Sequence, residues 1–393
     1  MTAFRRLALP AGLIMWSMFA IPAPAQIAVS ANDGKQLRPG EAPSTRVPDM
    51  IATIDMRRYP PKTLATIEVP ASLVGPPTTV AVAHDGRLAL VSAAQRLNAA
   101  GEIEPNGVLS VIDLRDPAAP RIVHTLETVP GPGGIAINRA GTLALVASPG
   151  DHSILVYAIA AGRLAPAGRL QLPDRTRPTD VTFAPDGRSA LVTGQGSNRL
   201  IRLTVAGSAL TVADARIMPG RQPWGVTFSR DGRYAYNSNL GGNLPAAGEP
   251  APAPGTPRPG TVSATDLATG AVTSVEVGLT PEHVALSPDG RWLAVVVANG
   301  SALAETAPGY HPYGLLQVYR VDGVSLTRVA EAHSGGWCQG AVFSDDGRTL
   351  LLQCSLDKAI EVFRFDGKTL AQDMAATLRF PGRPGAMATA SSR

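Results

Sequence analysis

One phrase occurs six times along the chain, and it limits the fold more than any other feature. In "TPEHVALSPDGRWLAVVV" (Thr280 to Val297) a proline precedes two variable residues, a short apolar run, an Asp-Gly turn and a second apolar run. The other copies are "PTTVAVAHDGRLALVS" from Pro77, "PGGIAINRAGTLALVAS" from Pro132, "PTDVTFAPDGRSALVTG" from Pro178, "PWGVTFSRDGRYAYNSN" from Pro223 and "CQGAVFSDDGRTLLLQC" from Cys338. Their turn glycines, from Gly86 to Gly347, lie 45 to 58 residues apart. Strand repeats at that period, with no helical pattern between them, are the signature of propeller blades.

Each copy reads as the first two strands of a blade. In "SPDGR" proline presets a turn dihedral, Asp caps locally and Gly290 takes the left-handed conformation, which predicts a three-residue loop, Pro288 to Gly290. A third strand follows, as in "VIDL" (Val111 to Leu114) or "QVYRV" (Gln317 to Val321), and then a fourth such as "VTSVEV" (Val272 to Val277).

The two ends complete each other. "RPGAMATASS" (Arg383 to Ser392) reads as a seventh first strand with nothing after it. "QIAVSANDG" from Gln26, "MIATIDM" from Met50 and "TLATIEV" from Thr63 read as the second, third and fourth strands that it lacks. The expectation is an all-β, seven-bladed propeller of four-stranded blades, a single domain over residues 26–393, closed by a composite blade that leaves no open sheet edge between the first and last blade.

Composition agrees. With 45% hydrophobic and 17% charged residues the chain can bury a large core, and 40 Gly with 35 Pro suit many short strands and turns. A net charge of +4 with scattered Lys and Arg argues against a nucleic-acid surface. Residues 1–25 read as an export signal: a basic start "MTAFRR", an apolar run and "PAPAQ", with cleavage after Ala25. A periplasmic or secreted protein without stable membrane insertion is expected. Cys338 and Cys354 flank one turn, and a hairpin register summing to 692 places them opposite each other, so a disulfide is expected.

"GVLSVIDL", "SPDGR" and "EVFRFDGKTL" resemble the repeats of the YVTN-type and lactonase-like seven-bladed propellers. The resemblance covers essentially the whole mature chain and implies a fold that hosts lactone hydrolases, surface-layer proteins and members of unsettled role. The lead-in of the lactonase-like family commonly reads P-R-H, so His283 matches it and Glu282 replaces the arginine.

Function is sought in the variable residues, which start the inner strands beside the channel. The long second-to-third-strand connections (31–48, 93–107, 239–260 and 299–314) leave on the same face. Arg177, Thr179, Asp180, Arg221, Gln222, Trp224, Glu282, His283, Trp337, Gln339 and Arg383 thus form a candidate polar ligand site with aromatic walls. The histidines show no metal-ligand spacing, and neither a C-x-x-C-H haem motif nor a G-x-S-x-G elbow occurs, so no metal or cofactor is expected. The first reading is a protein that binds a small ligand or a periplasmic partner at this mouth. The alternative is a lactone hydrolase with His283 as general base and Arg221 as the charge-stabilising donor. His311, and the proline-rich stretch 245–260, read as solvated loop.

Overall fold

The computed structural model describes residues 26–242 and 257–390. The expected export signal and most of the proline-rich stretch lie outside them. Among the described residues the strands form seven antiparallel sheets, one per blade, and six of them begin with a repeat copy. The inner strands of those six are Val80–Val82, Ile135–Ile137, Pro178–Phe183, Pro223–Phe228, Pro281–Leu286 and Cys338–Phe343. The seventh blade is composite: Arg383–Thr389 is its inner strand, followed outward by Ile27–Asp33, Met50–Asp55 and Lys62–Glu68.

Strand alternation builds the core. Each sheet turns one set of apolar side chains toward the preceding blade and the other toward the next, so the core is a series of seams between blades. At one seam Leu145, Ala147 and Val156 pack against Val181, Val192 and Leu203. At the ring closure Ala28, Ile54 and Met387 pack against Leu351, Ile360 and Val362.

The turn differs from the expected three-residue loop. The Ser287 N–H donates to Trp292 O at 2.8 Å, so four residues, Pro288 to Arg291, form the loop. Gly290 sits at φ 75°, and Ser287 Oγ donates to Asp289 at 2.6 Å. The cysteine hairpin has the same turn, and its strands run one register step away from the expected pairing: Phe343 faces Leu350 and Ala341 faces Leu352. A bulge between Cys338 and Ala341 removes that step, so Cys338 faces Cys354 after all. The two are joined in a disulfide, with S–S 2.03 Å.

The connection over 93–107 also departs from a plain loop. Its flanking strands, Leu88–Leu97 and Ile103–Asp113, continue as a paired hairpin through Leu97 and Ile103. Asn98 organises the tip by accepting from the Ala100 and Glu102 N–H groups, both at 2.9 Å. The 31–48 connection is strapped down instead. Lys35 Nζ is buried and pairs with Asp33 at 2.8 Å and Asp49 at 2.9 Å.

Candidate functional site

The lead-ins share a backbone device. Arg177, Gln222, Thr280 and Trp337, each immediately before an inner strand, have φ of 44°, 56°, 57° and 44°. Side chains rarely adopt this left-handed conformation, and here each residue's carbonyl accepts the N–H of the residue that follows the second strand: Gln195, Leu240, Ala298 and Ser355. Its recurrence in four successive blades makes it part of the repeat. One or two residues further on, the strands of these blades shift register by a bulge, which re-aims the variable pair.

In the blade of the opening phrase this pair divides two environments. The Glu282 carboxyl is buried, and burial pushes its pKa up to about 7 against the opposing pull of the indole N–H groups of Trp337 and Trp224. Trp337 belongs to the next blade and Trp224 to the preceding one. Trp224 Nε1 lies near enough to favour the charge, yet it is buried without an acceptor in hydrogen-bonding geometry. Trp337 is held by its own N–H, which donates to Ser301 Oγ at 2.8 Å. In the orientation its neighbours require, the Gln339 carboxamide accepts from Trp337 Nε1 at 3.2 Å and donates to Gly385 O at 2.8 Å. Glu282, Trp224, Trp337 and Gln339 therefore meet at the lead-in end of the channel.

His283 belongs to the channel below them. Its Nδ1 accepts the Ala341 N–H at 3.2 Å, so in the neutral ring the proton resides on Nε2. Burial pulls its pKa down to about 4. A ring with one nitrogen committed to the backbone and the other protonated is a donor and has no lone pair to offer as a general base. Asp180, at the equivalent position two blades earlier, is also buried, and burial pushes its pKa up to about 6. Its carboxylate accepts from Thr78 Oγ1 at 2.7 Å, the Val181 N–H at 2.8 Å and the Val226 N–H at 2.9 Å. The Thr78 bond crosses Gly134 of the intervening blade, where an added Cβ would stand 2.4 Å from Asp180 Oδ1.

The remaining candidates disperse. Arg383 is buried, pairs with Glu41 and donates to Ser355 O at 3.0 Å and Gln36 O at 3.2 Å, so its guanidinium fastens the ring closure. Thr179 Oγ1 bonds Thr193 Oγ1 at 2.9 Å within its own blade. Gln222 is buried, with its N–H donating to Asn198 Oδ1 at 2.8 Å. Arg221 is exposed beside Gly242, and the Arg177 N–H donates to His152 Nδ1 at 3.2 Å.

Beneath Asp180 and His283 the channel holds a cavity of about 550 Å³, which runs to the Asp-Gly turn end, where His84, Arg139, Arg230 and Asp345 stand. The fourth residue after each lead-in proline, or after Cys338, lines it: Ala81, Ala136, Thr182, Thr227, Ala285, Val342 and Ala388. Reading only the strand entrances missed this ring. Its signal was the Thr in "PTDVTF" and "PWGVTF" where other copies carry Ala or Val.

No protein-family model and no curated protein sequence matches the chain. Solved structures do. A provisionally assigned 6-phosphogluconolactonase from Bacteroides uniformis superposes with a TM-score of 0.68 at 18% identity, covering 93% of this chain and 99% of that one. The periplasmic gluconolactonase of Pseudomonas aeruginosa superposes with a TM-score of 0.62 at 18% identity, covering 93% and 98%. Dihydro-heme d1 dehydrogenase does so with a TM-score of 0.57 at 16% identity, covering 94% and 76%. At such identities the likeness is one of architecture, and it extends to proteins of unlike chemistry. The chain is built on the seven-bladed propeller fold of the lactonase-like structures.

Proposed function

We propose that the protein hydrolyses a small lactone at the lead-in mouth of its channel, with Glu282 as general base. The observation that carries this is the Glu282 carboxyl, buried between two indoles, with a pKa pushed up to about 7. A carboxyl held near neutrality by burial is matched to proton transfer, and such tuning concentrates at functional sites. Glu282 and Trp224 take the roles of base and donor expected of His283 and Arg221.

In the reaction the Glu282 carboxylate takes a proton from water as the water oxygen bonds to the lactone carbonyl carbon. The carbonyl oxygen gains the negative charge and accepts from Trp224 Nε1, buried without a partner in the free protein, once the indole turns toward the bound lactone. The ring C–O bond then breaks, and the leaving alkoxide recovers the proton from Glu282. The product is a hydroxy acid, which ionises by giving a proton to solvent. The lactonases among the structural neighbours support this choice of substrate class. The Cys338–Cys354 disulfide and the expected export signal support a site of action in the periplasm.

The test is a panel of five- and six-membered lactones, assayed by acid release and by thermal shift, with wild type and Glu282→Gln. Hydrolysis should fall roughly a hundredfold or more in the variant, and wild-type kcat/KM should rise with pH through about 7. Absence of hydrolysis across the panel rejects the reading. If lactones then still raise the melting temperature, the mouth is a binding site, the function to which the firmly interlocked Trp337 and Gln339 are equally suited.

A further inference from the structure

We infer that the channel cavity lined by Asp180 and His283 is a second ligand site, built for a neutral, monosaccharide-sized hydroxylated ring. Three successive blades give it a polar sector. His283 is nine-tenths buried, and with Nδ1 bonded to Ala341 its Nε2–H has no protein acceptor among the described residues. Thr182 and Thr227 line the cavity at equivalent positions, and neither hydroxyl has a protein hydrogen bond among those residues. The ring N–H of a buried histidine and two hydroxyls, all opening onto the channel without protein partners, favour a ligand that supplies them.

The rest of the wall mixes small apolar side chains, Ala136 and Ala388 in the ring of Thr182 and Thr227, with the aromatic Phe228 and Phe343 and polar groups such as Thr78 and Ser229. A sugar ring pairs a hydroxylated edge with an apolar face, and this wall offers surface of both kinds. About 550 Å³ lies within the usual range for small-molecule pockets. Charge points the same way. Arg139 and Arg230 at the turn end stand with Asp345, so the rim has no single sign, and the Asp180 carboxylate is occupied by three donors.

The experiment is calorimetric titration of the full protein with neutral hexoses and pentoses as probes, and with gluconate as a charged control. A saturable neutral sugar is expected. Thr227→Val, which keeps shape and removes the hydroxyl, should weaken it about tenfold. Ala285→Leu, which fills the cavity, should abolish it, while Glu282→Gln should leave it unchanged, separating this site from lactone hydrolysis at the mouth. No saturation by any probe up to about 10 mM overturns the proposal. So does binding that survives both Thr227→Val and Ala285→Leu, binding that is lost in Glu282→Gln, or tighter binding of gluconate than of every neutral sugar.

Discussion

Neighbouring residues of one strand, Glu282 and His283, carry opposite dependences on pH. The Glu282 carboxyl holds its proton more tightly when folded than the ordinary value of 4.5, so its contribution to stability is complete below that pH and is lost as pH rises toward about 7. His283 is pulled from 6.5 down to about 4, so stability falls as pH drops through that interval, because only the unfolded ring takes up a proton there. Glu282→Gln should therefore gain on the order of 2 kcal/mol over wild type at pH 8 and nothing at pH 4, as read by urea unfolding at both values. An equal gain at both would show that the carboxyl does not titrate in this window. A different steric limit governs Gly134, which leaves room for the Thr78–Asp180 bond. Gly134→Ala should cost roughly 1–3 kcal/mol, and Asp180→Asn in the same background should add less than it costs alone. Equal costs in both backgrounds would show that the glycine and the bond are independent.

At the scale of elements, the strands and their order were legible because the period-two pattern and the Asp-Gly turns are local. Register was legible only in part. The pairing of Cys338 with Cys354 follows from a four-residue turn and a compensating bulge, and neither is visible in composition. The same lead-in bulges explain why the candidate list scattered: they set Glu282 between indoles of two other blades, a relation that depends on packing over more than 50 residues of sequence on each side. Arg383 was legible as an inner-strand residue, but its partner Glu41 lies in a strap at the other end of the chain. The disulfide closes a short loop with a sequence separation of 16, for which chain entropy gives roughly 3 kcal/mol. Replacing both cysteines by alanine should lower stability by about 2–3 kcal/mol in denaturant melts while the fold survives. Unchanged melting with and without reductant would count against that contribution.

The whole molecule depends on its seventh blade. Arg383–Thr389 pairs with Ile27–Asp33 and is held from the preceding blade by Gln353 Nε2 on Ala386 O at 2.9 Å and Ser355 Oγ on Pro384 O at 2.7 Å. Deleting residues 383–393 should lower the melting temperature by roughly 10 °C or more, or abolish a cooperative transition. A truncated protein that melts like the full chain would mean that the ring stands without its clasp. The same clasp has a consequence for how the molecule comes into being. Three strands of that blade lie near one end of the chain and the fourth near the other, so Ile27–Asp33 keeps one edge unsatisfied until Arg383–Thr389, more than 300 residues away in sequence, docks on it. The other six blades can each form from contiguous sequence. The cylinder itself closes in one late event, and until then the folding chain is an open arc that a chaperone or a neighbouring copy can enter.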